Sequence, residues 1–270
     1  MIGAIIGDIV GSRFEFNNIK SREFELLHPG CFFTDDSVMT VAVAKAILAA
    51  GGDCSMLGQE TVLALRELGQ RYPDSGYGGM FRKWLFSGNP MPPYGSYGNG
   101  AAMRVSPCGL AARTVEEARL LSRLVTEVTH NHPEGLKGAE AVAVCAFLAR
   151  TGHGKEEIGE YARKNYYPLG FTLDSIRASY LYNGTCQETV PQALVAFLES
   201  VGFEDAIRGA VSIGGDSDTL AAITGGLAEA YYGIPQGIAK KALSYLPEPL
   251  SAVICQFYRV YPQPKGSPER

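Results

Sequence analysis

No stretch of this chain approaches the uninterrupted run of about 18 apolar residues that a membrane-crossing helix needs, and no membrane partner is expected. Residues 1–7 are apolar, but no basic leader accompanies them, and Asp8 interrupts the run before it reaches signal-peptide length. Clustered Lys and Arg are also missing. With a net charge of -4, this counts against stable nucleic-acid binding, while local basic groups could still bind a single diphosphate. The six cysteines, at positions 31, 54, 108, 145, 186 and 255, form no CxxC pair. We read them as reduced, several of them small core residues, in a cytoplasmic protein. Period-two alternation is scarce, so no substantial sheet is expected.

Helical rhythm dominates instead. Segments 37–50, 56–70, 115–128, 138–150, 192–201 and 220–232 pair apolar positions at spacings of three and four and are rich in Ala and Leu. Glycine and proline punctuate the chain at 51–52, 73–76, 88–90, 92–93, 152–154 and 247–249. Hydrophobic residues make up 46% and charged residues 19%, a balance that suits a packed globule and excludes a disordered or fibrous chain. The expectation is an all-α, compact, single-domain, multi-helix globule of roughly ten or more helices. It spans 1–261, and 262–270, with its prolines, forms a flexible tail.

Two acidic clusters stand out against this background, Thr34-Asp35-Asp36 and Asp216-Ser217-Asp218-Thr219, each opening an apolar helix-like stretch. One reading is helix capping, because Thr and Asp oxygens accept hydrogen bonds from free backbone amides at a helix start. Capping accounts for one such residue per helix and does not require three in succession, nor a second set placed the same way. The other reading is a split metal site. Four carboxylates and two hydroxyls offer only hard oxygen donors, and four negative charges in one cleft would repel without bound cations.

Three further polar islands accompany them. In Gly7-Asp8-Ile9-Val10-Gly11-Ser12-Arg13-Phe14-Glu15, the carboxylates of Asp8 and Glu15 would share a face if the stretch is helical. Asp8 reads as an internally hydrogen-bonded core carboxylate. Glu15 beside Phe14 and Phe16 is an acid/base candidate if buried, since an apolar setting raises a carboxyl pKa, and a solvated surface glutamate if not. The loop Tyr94-Gly95-Ser96-Tyr97-Gly98-Asn99-Gly100-Ala101-Ala102-Met103-Arg104 could cradle an anion with backbone N–H groups and stack its tyrosines on a planar ring. It lacks the spacing of a nucleoside-triphosphate loop. Thr129-His130-Asn131-His132 forms a polar knot at a helix end, where a histidine caps or hydrogen-bonds. We assign neither His130 nor His132 to a metal.

Taken in order, Gly7-Asp8 with Gly11-Ser12 and Glu15, Phe33-Thr34-Asp35-Asp36, Gly95-Ser96-Tyr97-Gly98-Asn99-Gly100, Thr129-His130, Gly214-Gly215-Asp216-Ser217-Asp218-Thr219 and Tyr231-Tyr232-Gly233 resemble the ADP-ribosylglycohydrolase family. The resemblance covers nearly the whole chain. It implies an all-α fold around a binuclear cleft holding two divalent cations, magnesium first and manganese second. It also implies hydrolysis at the anomeric carbon of an ADP-ribosyl group carried by a protein or a small-molecule conjugate. By the same resemblance Thr34, Asp35, Asp36, Asp216, Asp218 and Thr219 are the metal ligands, and Glu15 is the glutamate beside them with a catalytic or gating role. Gly95, Ser96, Tyr97, Gly98, Asn99, Gly100 and His130 match segments that hold the diphosphate and the adenosine-ribose portion. Asp35, Asp36 and Asp218 stand beside Glu15 as possible bases. The Ser96 to Gly100 stretch is more similar to the branch acting on O-linked substrates than to the arginine-directed one. Three rival readings use different chemistry: a non-catalytic ADP-ribose-binding module, a crystallin-like structural role without metal, and a metallohydrolase of phosphate esters.

Overall fold

Apolar residues at helical spacing become helices along the whole chain in the computed structural model, which describes residues 1–89 and 91–262. Pro90 and, beyond Pro262, the expected tail lie outside the described residues. The first half of the chain holds α1 (Ile2–Gly11), a 3-10 turn (Ser12–Phe14), α2 (Asp35–Ala50), α3 (Cys54–Arg71), α4 (Gly79–Leu85), α5 (Gly100–Met103), α6 (Ser106–Ala111) and α7 (Val115–Thr126). The second half holds α8 (Pro133–Arg150), α9 (Lys155–Asn165), α10 (Leu173–Ile176), α11 (Cys186–Glu199), α12 (Phe203–Ser212), α13 (Ser217–Tyr232), α14 (Gln236–Leu243) and α15 (Glu248–Val260). Among the described residues the only β pairing is an isolated antiparallel bridge between Gly98 and Thr185. The fold is all-α, as the sequence suggested.

Two helices begin earlier than periodicity indicated. Helix α8 starts at Pro133 rather than near 138, because proline suits the first helical turn and the His132 ring accepts a hydrogen bond from Glu134 N at 3.1 Å. Helix α11 starts at Cys186 and runs through Pro191. The proline forfeits one backbone bond close to the helix start, while its fixed φ fits the helix.

Glycine spacing decides how the two central helices meet. Gly3, Gly7 and Gly11 recur every fourth residue and line one face of α1. A Cβ would lie 2.2 Å from Gly225 O at Gly3, 1.9 Å from Ala221 O at Gly7, and 2.5 Å from Asp218 Cα at Gly11. Helix α1 therefore lies backbone to backbone against α13, closer than any side chain permits. Both are buried almost all round, α1 from Gly3 to Gly11 and α13 from Ser217 to Glu229. Helices α2, α8, α11 and α12 pack around this pair. The amphipathic α3, α7, α9 and α15 turn apolar faces inward and charged faces to solvent. The close α1–α13 contact brings residues 8–15 beside residues 216–219.

Candidate active site

Both acidic clusters sit at helix N-termini, and hydrogen bonding decides between capping and a further role. At the start of α2, Thr34 Oγ1 accepts from Asp36 N at 3.2 Å. Asp8, fully buried on α1, reaches across to accept from Thr34 N at 2.9 Å, Ser37 N at 3.0 Å, Thr34 Oγ1 at 2.7 Å and the Ser37 hydroxyl. Asp35 N donates instead to Ser75 O at 2.7 Å. Thr34 and Asp8 thus complete the cap, leaving the Asp35 and Asp36 carboxylates free of that duty. At the start of α13, Asp216 occupies the cap position without capping through its side chain. Its Oδ2 accepts from Asn99 Nδ2 at 2.8 Å. Capping alone does not explain these aspartates.

The carboxylates converge on one cleft with a cavity volume of about 250 Å³, lined on its acidic side by Glu15, Asp35, Asp36, Asp216, Asp218 and Thr219. Oxygens of Glu15, Asp216 and Asp218 lie within 4.8 Å of one another. Asp36 Oδ2 accepts from Thr219 Oγ1 at 3.1 Å, joining the two clusters, while Asp36 Oδ1 is buried with no hydrogen-bond partner. Among the described residues, none of these carboxylates forms an ion pair with Lys or Arg.

The electrostatic consequence is a set of raised pKa values. Burial, with the Asp216 and Asp8 carboxylates adding to it, pushes Glu15 up to about 7. Burial with Asp8 and Asp216 pushes Asp35 to about 8. Asp36 and Asp218 rise well above the usual range, again chiefly by burial and then by neighbouring aspartates. Burial also outweighs the hydrogen bonds that Asp8 accepts and lifts it to about 6. A bare buried acceptor oxygen costs roughly 1–3 kcal/mol, and clustered hard oxygens without counter-charges are what divalent magnesium or manganese binds. The donor set fits such cations.

Glu15 is positioned by a clip that no local pattern announces. Asn18 Oδ1 accepts from Gly215 N at 2.7 Å, and Asn18 Nδ2 donates to Gly215 O at 2.9 Å and Glu15 O at 3.0 Å. This ties the Glu15 segment to the turn before Asp216. Gly214 and Gly215 have φ of +69° and +75°, and a Cβ at Gly215 would lie 2.4 Å from the Tyr180 ring. Glycine is required there by both backbone and space.

The opposite wall comes from the glycine-rich loop. Ser96, Gly98, Asn99, Gly100 and His130 line the cleft. Three of the loop N–H groups expected to face an anion are spent inside the fold: Gly95 N on Asn131 Oδ1, Gly98 N on Ser96 Oγ, and Asn99 N on Gly184 O. Gly95 does not line the cleft. Nor does Tyr97, which is 45% exposed and packs on His132 with ring centroids 5.1 Å apart. Thr34 is likewise buried behind the cleft lining, its hydroxyl proton committed to Asp8.

Several lining residues escaped sequence reasoning. Gly76 stood out only as chain punctuation and Gly78 and Gly79 not at all, yet Gly76, with φ of +101°, comes so close to Asp35 that a Cβ would lie 3.3 Å from its Oδ1. Tyr182 and Gly184 belong to a segment without periodicity, and no local signal marks them. Arg104 ends the glycine-rich island and carried no assigned role.

The cleft geometry can be set beside proteins of known type. A profile of the ADP-ribosylglycohydrolase family matches residues 1–263. ADP-ribosylhydrolase ARH3 of Homo sapiens is 28% identical over 319 residues, which cover 87% of this chain and 85% of the relative. ADP-ribosylarginine hydrolase Tri1 of Pseudomonas putida (strain GB-1) is 27% identical over 291 residues, covering 90% of this chain and 73% of the relative. A solved structure described as an ADP-ribosylglycohydrolase-related protein complex is 27% identical and superposes with a TM-score of 0.65 over 96% of this chain and 97% of its own.

Proposed function

The chain belongs to the ADP-ribosylglycohydrolase family, and from that premise we propose that it hydrolyses the bond at the anomeric carbon of an ADP-ribosyl group, releasing ADP-ribose from a protein or small-molecule conjugate. The observation that carries this reading is the convergence of five carboxylates on one cleft without an ion-pairing cation, with Asp36 Oδ1 bare among them.

We assign Thr34, Asp35, Asp36, Asp216, Asp218 and Thr219 to hold two divalent cations, magnesium first and manganese second. The Thr34 hydroxyl proton is committed to Asp8, so its oxygen can only accept or coordinate. Cations held there would supply Lewis acidity toward the ribose hydroxyls and the attacking water. In the cation-free site burial, with the Asp216 and Asp8 carboxylates adding to it, raises Glu15 to about 7, and one of its oxygens lies within 4.8 Å of oxygens of Asp216 and Asp218. That suits it to take a proton from water or give one to the leaving group. The neighbouring carboxylates offset positive charge developing at the anomeric carbon as the bond breaks. Asn99 holds Asp216 in place through Nδ2, so the loop wall and the acidic wall are coupled. Ser96, Gly98, Gly100 and His130 face the ligand across the cleft, and Gly95 and Tyr97 shape its rim.

The Ser96 to Gly100 stretch supports an O-linked substrate, serine or acetyl ester, over an arginine-linked one. Among the described residues no helix is long and apolar enough to cross a membrane. The free state of all six cysteines supports a cytoplasmic setting.

Release of free ADP-ribose from serine-, acetyl- and arginine-linked substrates, with magnesium and with chelator, tests the proposal beside an Asp218→Asn variant. Metal-dependent release, lost by at least about 10³-fold in the variant, is expected. Chelator-resistant release or a fully active variant would sink the mechanism. Binding without turnover on every substrate would instead support an ADP-ribose-binding module.

A further inference from the structure

Arg104 is 1% exposed, follows α5 directly and borders the cleft, yet it has no carboxylate partner. Its Nη2 donates to Thr129 Oγ1 at 2.7 Å and, at 3.4 Å, to Val125 O. Its Nε is buried with no partner, and the guanidinium lies 5.8 Å from the Phe81 ring. A buried cation held this loosely is costly to keep. Its one short contact leads to the cleft. Thr129 Oγ1, fully buried, lies 2.8 Å from His130 Nδ1.

Donor and acceptor counting orients this chain. A guanidinium only donates, so the Thr129 oxygen spends a lone pair on Arg104. The threonine hydroxyl has one proton, and among the described residues its only other partner is His130 Nδ1. If Nδ1 carried the imidazole proton, two donors would meet at the Thr129 oxygen and its own buried proton would have no acceptor. We propose that Arg104, acting through Thr129, fixes His130 in the Nε2–H tautomer and so presents a hydrogen-bond donor to an acceptor oxygen of the ligand in the cleft. Arg104 and Thr129 are positioning residues, and His130 makes the contact.

Two observations agree with this assignment. Nε2 faces the loop at the two glycines that leave it uncovered: a Cβ would lie 3.4 Å from it at Gly100 and 3.8 Å at Gly98. Burial and the nearby Arg104 hold the imidazole well below its usual pKa, so the ring is neutral and its tautomer matters. The cleft is thereby polarised, with carboxylates at one end and a fixed cation with an aimed donor at the other.

The inference rests on the ligand being an ADP-ribosyl group, and the test separates the two claims. Ring ¹⁵N chemical shifts of His130 in the ligand-free protein report the tautomer, and calorimetric titration with free ADP-ribose reports affinity. The expected wild-type spectrum shows protonated Nε2 and bare Nδ1. Thr129→Val should bring both nitrogens toward averaged shifts and weaken ADP-ribose binding by about tenfold, the worth of one hydrogen bond. Thr129→Ser, which keeps the hydroxyl, should restore both readouts. Arg104→Lys should shift the spectrum partway while the protein stays folded. A wild-type Nδ1–H tautomer, or a Thr129→Val variant with unchanged shifts, overturns the relay. A confirmed tautomer without ADP-ribose binding leaves the relay standing and overturns the functional reading.

Discussion

At the acidic end of the cleft, most of the polar groups come from helix N-termini and repel one another. At the loop end, one buried guanidinium and a chain of neutral hydrogen bonds hold the wall together. Asp36 Oδ1 has no partner and Glu15, Asp35, Asp36 and Asp218 all carry raised pKa values. Across the cleft, Gly95, Gly98 and Asn99 have their N–H groups satisfied inside the fold. The acidic end therefore carries buried carboxylates in excess of their hydrogen-bond partners. At the loop end those three backbone donors are already spent inside the fold. Under the proposed function the acidic end takes the cation-bound ribose and the loop end the diphosphate with its nucleoside, so that uncompensated charge lies where chemistry occurs and preorganised hydrogen bonds where binding occurs.

The most severe way to break the contrast is Glu15→Gln. It removes the titrating group and leaves the shape, so turnover should fall by about 10³-fold in a steady-state assay while ADP-ribose affinity changes little. The same variant should melt higher than wild type in chelator, because one repelling carboxylate is gone. A variant that turns over normally would move the acid/base role to Asp35, Asp36 or Asp218.

A second test uses pH and metal removal. Folded carboxyls raised to about 6 for Asp8, about 7 for Glu15 and about 8 for Asp35 keep protons that the unfolded chain, near pH 4, has already released. Their stabilising contribution is complete below about pH 4 and is lost as pH rises through the folded values, so the slope of stability with pH is negative. In chelator the melting temperature should therefore be lower at pH 8.5 than at pH 5.5. Magnesium should recover more of it at pH 8.5, where the ligands ionise readily. Equal magnesium stabilisation at both pH values would argue against a metal site made of these groups.

The smallest effect is expected at the rim. Tyr97 is 45% exposed, lies outside the cleft lining and packs on His132. Tyr97→Ala should leave the melting temperature unchanged and lower ADP-ribose affinity by no more than about tenfold, measured by titration. A larger loss would place the tyrosine inside the binding surface.

How much of this was legible in the chain depends on how local each signal is. Thr34-Asp35-Asp36 and Asp216-Ser217-Asp218-Thr219 announce themselves because each run carries more carboxylate than a helix cap uses. Helix periods were legible along most of their length, except at the starts of α8 and α11, which begin at Pro133 and Cys186, ahead of the periodic stretches. The role of Asp8 as a cap for a helix 26 residues away could not be read from its neighbours. Nor could the Asn18 clip on Gly215, or the Arg104–Thr129–His130 chain. Each joins single residues distant in sequence, and a single polar residue has no period.

The sequence by itself determined that the chain is helical, that Gly3, Gly7 and Gly11 share a face, and that two runs hold an excess of hard oxygen donors, since backbone propensity and side-chain chemistry act over a few residues. Only the tertiary structure decided that those runs meet. Backbone contact between α1 and α13 sets Asp218 against Gly11 and brings Glu15 beside Asp216, and burial there raises the carboxyl pKa values. Desolvation and Coulomb repulsion depend on distance in space, which the order of residues does not contain.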